Sequence, residues 1–165
     1  MRPTTRSIAG LLGVVLVAGA HAAGAVQVSY VNRDKFADAG NSRHDVEDNL
    51  KQLTRHFEAL AKRHLADGQK LSVEVLDVDL AGEMRPSRRA TQDIRVLKGT
   101  TDWPRIKLRY TLESPGQPAR SGERLVQDMA YLQRLGSNVG IGALNYEYRM
   151  LDEWFGAEFG HAAAR

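Results

Sequence analysis

The chain has no cysteine among its 165 residues, and that absence removes several chemistries at once. It excludes a disulfide framework, a zinc-thiolate site, a cysteine nucleophile and acylation on a leading cysteine. Stability must then come from an ordinary apolar core. Long apolar runs are also missing, since the stretch from Ile8 to Gly19 is well short of the roughly 20 residues that span a bilayer. Two catalytic signatures are absent as well: no H-E-x-x-H pair presents histidines to zinc, and no G-x-S-x-G forms a serine-hydrolase elbow.

The short apolar stretch does have a meaning, because it follows a basic MRPTTR and precedes Ala20-His21-Ala22. Basic start, short apolar core and A-x-A site together describe a secretory signal peptide, residues 1–22, with cleavage after Ala22. The expected product is one domain over residues 23–165, exported to the periplasm and without a permanent membrane span. Losing Arg2 and Arg6 brings the formal charge from +3 to +1. Such a balance lacks the concentrated basic face that nucleic acid requires, so nucleic acid is not an expected partner.

Periodicity gives the elements. VQVSYVN, residues 26–32, alternates as a half-buried strand does. Ser42, with Asp45 three residues later, forms a loose capping box before a helix from Asp45 to Leu65. Its apolar positions Val46, Leu50, Leu53, Phe57 and Leu60 make one stripe, and Gly68 stops the chain's helical run. KLSVEVLDVDLAGE then changes the parity of its apolar positions, which predicts a bulge or register break near Leu76. DIRVL reads as a short strand, RIKLRYTLE as an antiparallel strand with one wet face, and RSGERLVQD as its hairpin partner across SPGQPA. A closing helix from Leu144 to Phe159 carries a broad apolar face. The order β-α-β-(β)-β-β-α argues an α+β fold, an antiparallel or mixed sheet with helices packed on one face.

Candidate site residues cluster around residues 77 to 103. Asp77 and Asp79, on one strand face, lie about 7 Å apart and need partners if partly buried. Arg85, Arg88, Arg89 and Arg95 follow closely enough to hold them through paired hydrogen bonds. The expected arrangement is thus an acid-arginine cluster fixing a loop at the sheet edge, with Asp77, Asp79, Arg85, Arg88, Arg89, Arg95 and Trp103 around a ligand groove. A D-x-D metal site lacks enough ligands to complete a calcium or magnesium shell, and no metal or other cofactor is expected. GSNVGIG before the last helix has part of a phosphate-binding glycine pattern but no strand immediately ahead of it. A flexible surface connection is its plain reading.

FADAG, LSVEVLDVDLAGE, DIRVL, WPRIKLRYTL, DMAYL and YEYRMLDEWF together resemble a bacterial family of small exported proteins, domain of unknown function 3016. The resemblance runs from about Val26 to Phe159, and DVDLAG and WPRI are its most distinctive segments. It implies a single domain in a Gram-negative envelope and carries over no catalytic residue. The expected function is a soluble periplasmic binding or accessory module whose partner is an envelope protein or a small ligand. The contrasting expectation is a hydrolase or metal-dependent enzyme using Asp77, Asp79 and His44.

Overall fold

Ser42 starts the first long helix as its spacing predicts. Its Oγ accepts from the Asp45 amide at 3.1 Å and donates to Asp45 Oδ2 at 2.7 Å, so the cap is reciprocal. The computed structural model describes residues 24–85, 94–133 and 144–160. Within them lie β1 (Ala25–Tyr30), a 3-10 turn (Arg33–Lys35), α1 (Arg43–His64), β2 (Lys70–Asp79), β3 (Glu83–Arg85), β4 (Ile94–Val96), β5 (Arg105–Glu113), β6 (Arg120–Gln127) and α2 (Asn145–Phe159). The segment expected to be a signal peptide, residues 1–22, together with Arg88, Arg89 and the glycines of residues 136–142, lies outside the described residues.

The main sheet runs β1-β2-β5-β6, with β1 parallel to β2 and the other pairs antiparallel. β3 and β4 form a separate two-stranded ribbon. The fold is α+β with a mixed sheet. The parity change in β2 is a bulge: Val75 pairs with Leu108 and Asp77 with Lys107, leaving Leu76 as the extra residue. That one-residue slip keeps Val78 on the covered face together with Leu71, Val73 and Val75, all buried. Without it, Asp77 and Asp79 would point into the core.

Alternation on β5 completes the division. Ile106, Leu108, Tyr110 and Leu112 are buried, while Lys107 and Arg109 stand on the open face. Both helices cover the same face of the sheet: Leu50, Leu53, Phe57 and Leu60 from α1 and Met150, Leu151, Phe155 and Phe159 from α2 join one core. Phe155 and Phe159 meet edge-on, with ring centroids 4.8 Å apart. Two acids of the described residues are buried in this frame, Glu147 on α2 and Asp128 after β6.

Candidate functional site

The parallel lane beside β2 does not end with β1. After the 3-10 turn the chain returns at Asp38, whose amide donates to Val78 O at 3.0 Å while Leu80 N donates to Asp38 O at 3.0 Å. FADAG is thereby laid along DVDLAG. Asp77 supports the same junction by accepting from the Ala37 amide at 2.9 Å. Asp38 Oδ1 accepts from Gly40 N at 3.0 Å. Burial, with the charge of Asp79 adding to it, holds the Asp38 carboxyl above the usual aspartate range despite the Gly40 amide and Arg95.

Behind this junction lies a buried charge pair. Glu147 enters from the first turn of α2 with no exposed surface, and Arg95 reaches it from β4, 18% exposed. Arg95 NH2 donates to Glu147 Oε1 at 2.5 Å, and Arg95 Nε donates to Ala81 O at 2.5 Å. The Ala81 amide closes the ring by donating to Glu147 Oε1 at 2.8 Å. Both backbone groups of Ala81 are therefore tied to the same ion pair. Two residues along α2, Arg149 donates to the buried Asp128 at 3.1 Å and to Tyr131 O at 2.5 Å. One helix start thus supplies an acid to one buried pair and a base to another.

A cleft of about 740 Å³ opens between α1 and the end of β2. Its rim carries Asp38, Asp45 and Asp48 with the amides of Asn41, Asn49 and Gln52, and its floor includes Leu80, Ala81, Leu144 and Arg95. No aromatic ring is among the described residues that line it. Asn49 is oriented by donating to Ala39 O at 3.0 Å. Gln52 Oε1 accepts from Tyr148 OH at 3.4 Å, which links the cleft to α2.

The expected arginine cluster is corrected by this geometry. Asp79 is held by Arg105, directly opposite it on β5, whose Nε donates to Asp79 Oδ2 at 2.9 Å and whose NH2 meets the same oxygen. Arg85 instead pairs with Glu83 two residues away, and Arg95 pairs with Glu147. The reason is the bulge: past it, Asp79 faces the open side, where Arg105 is its cross-strand neighbour. Arg88 and Arg89 lie outside the described residues. Trp103 is half buried beneath the Arg105 guanidinium, 5.6 Å from its ring centroid, and is not among the cleft-lining residues. Of the predicted set, Arg95 reaches the cleft, whereas Asp77 and Asp79 brace the structure next to it.

Neither does the geometry favour the enzyme alternative. Asp77 and Asp79 are engaged as described, and His44 pairs with Asp48 on the exposed side of its own helix. Among the described residues no group of three or more histidine, aspartate or glutamate side chains is placed to hold a metal.

Sequence reasoning missed Asp38, Asp48 and Glu147. Glu147 had a signal: it falls three residues after Leu144 and four before Leu151, inside the apolar row of the last helix. An acid at a core position requires a buried cation. Asp38 and Asp48 carry no comparable mark, because tertiary folding alone brings them to one cleft.

The family model described as protein of unknown function (DUF3016) matches residues 24–157, and the chain belongs to that family. No curated protein and no solved structure matches the chain significantly.

Proposed function

We propose that this family member is an exported binding or accessory module of the bacterial envelope, whose ligand seat is the cleft between α1 and the end of β2. The observation that carries the reading is the cleft itself, whose volume of about 740 Å³ falls within the range of small-ligand sites. Its chemistry favours a positively charged group, such as a polyamine or a lysine side chain of a partner. Three aspartates line it, and its arginine is already matched by buried Glu147. A cation beside Asp38 would also relieve the carboxylate that burial disfavours. The apolar part of the floor, Leu80, Ala81 and Leu144, suits a methylene chain between charges.

The envelope half of the reading rests on the N-terminal order of basic residues, short apolar core and Ala20-His21-Ala22. Among the described residues no helix is long and apolar enough to cross a membrane. Intact mass of the exported protein should correspond to a start at Ala23; a product retaining residues 1–22 would refute cleavage. Calorimetric titration with spermidine and with trilysine tests the cleft. Saturable binding weakened at least tenfold by Asp38→Asn supports it, and equal affinity of the variant would place any binding elsewhere. Capture from envelope extract, followed by mass spectrometry of bound small molecules, would then identify the natural occupant.

A further inference from the structure

The two edges of the main sheet differ in a way that bears on assembly. β6, RSGERLVQ, carries Arg120, Glu123 and Arg124, and Arg124 is drawn towards Glu158 at 3.3 Å. Charges and a glycine on an edge strand discourage pairing with another chain. β1, AVQVSY, has no charge, no glycine and no proline over six residues. It pairs with β2, and with no other strand of the described residues. Such an edge is a template for a further strand.

The direction of its free groups follows from two hydrogen bonds. Ala25 N donates to Gln69 O at 3.0 Å and Val31 N donates to Val75 O at 2.9 Å, so the odd-numbered residues face β2. Strand alternation then turns the amides and carbonyls of Val26, Val28 and Tyr30 outward. Their side chains lie on the helix-covered face and pack against the core only in part.

We propose that β1 is a self-pairing edge through which two copies of the chain join, antiparallel, with Val28 opposite Val28 of the second copy. This register satisfies every outward backbone group at once. Val28 exchanges two hydrogen bonds with its counterpart, and Val26 exchanges two with Tyr30 on each side of the two-fold axis. Shifting the centre to residue 26 or 30 strands part of the outward set. The facing side chains suit each other: valine meets valine, valine meets tyrosine, and Gln27 stands opposite Ser29 on the open face, with no like charges opposed. The product is a continuous eight-stranded sheet whose new edges are the two charged β6 strands. A C2 arrangement of this kind closes on itself and cannot propagate through β1.

The absence of cysteine makes the register testable by crosslinking. In a hydrogen-bonded antiparallel pair the facing Cα atoms are about 5.5 Å apart, within disulfide range. Val28→Cys should crosslink in the exported protein under mild oxidation, while Gln27→Cys, displaced by about 8 Å from its own copy, and Ser121→Cys on β6 should not. Sedimentation of the cysteine-free exported protein should show a dimer that dissociates on dilution. A monomer at every concentration up to hundreds of micromolar would overturn the proposal, as would Val28→Cys crosslinking no faster than Ser121→Cys. Faster crosslinking of Gln27→Cys than of Val28→Cys would overturn the register.

Discussion

Replacing Arg95 by methionine should destabilise the fold by about 3–5 kcal/mol, because it strands a carboxylate that has no exposed surface. Methionine retains much of the apolar stem, so packing changes little and the loss is chiefly electrostatic. Among the described residues Glu147 would keep the Ala81 amide as a donor at 2.8 Å, and Ala81 O would lose the Arg95 Nε donor. For a domain of this size each kcal/mol lowers the melting midpoint by about 3–5 °C, so the total shift is about 10–25 °C. Adding Glu147→Gln removes the charge while leaving an acceptor for the Ala81 amide. The double variant should therefore be more stable than Arg95→Met alone, with a coupling of about 2 kcal/mol or more. Urea unfolding of the two single variants and the double variant measures this directly. A loss below about 1 kcal/mol for Arg95→Met, or additive single effects, would refute a buried pair. The cross-strand pair of Asp79 and Arg105, 18% and 39% exposed, offers the contrast: there the same cycle should yield about 1 kcal/mol or less.

Leu53→Asp and Phe57→Asp should each cost several kcal/mol, since both side chains are buried under the sheet; unchanged thermal midpoints would place α1 on the wrong face. His56 is held below its usual value of 6.5, mainly by burial against Tyr148, although Asp152 opposes the shift. A lowered histidine contributes stability that is present above pH 6.5 and lost as the pH falls through its folded value, so thermal midpoints should drop on acidification and the drop should shrink in His56→Gln. Asp38 works in the opposite sense: its raised carboxyl contributes stability below about pH 3.8 that is lost as the pH rises through its folded value. Asp38→Asn should accordingly stabilise the protein at pH 7 and confer little or nothing near pH 3; a destabilised variant at pH 7 would show that the charge is wanted by the fold itself.

Much of the architecture was legible because local pattern and burial agree here. The stripe of α1, its serine cap, the alternation of β5 and the hairpin to β6 are all one-dimensional signals of a two-faced element. Even the bulge at Leu76 was visible as a change of parity. The partners of the charges were not. Asp79 had four arginines downstream within reach of a simple loop, yet it pairs with Arg105, 26 residues away, because strand register decides which side chains are adjacent. Glu147 and Arg95 stand 52 residues apart, and no spacing rule joins them. The cleft is harder still, for its walls come from the lane after β1, the start of α1, the turn after β2 and the start of α2. Proximity of that kind exists only after the sheet has set its register.

The same geometry explains why a buried ion pair sits at the cleft floor when apolar side chains would pack there at no desolvation cost. The chain must turn sharply after β2, and it does so at Gly82, whose φ of +76° and whose approach to Val96 O would be strained with any side chain. A turn leaves backbone groups unpaired, and these face the protein interior at Ala81. Glu147 accepts from the amide and Arg95 donates to the carbonyl, so the pair completes hydrogen bonds that an apolar residue would leave open. Gly82 N is satisfied separately by Asp102 O at 3.0 Å. The floor of the cleft is consequently fixed by side chains from α2 and β4 together, and truncating either one loosens the other. Binding at the cleft should therefore be more sensitive to Arg95 and Glu147 than to Asp77, which steadies the rim through a single amide at its solvent side.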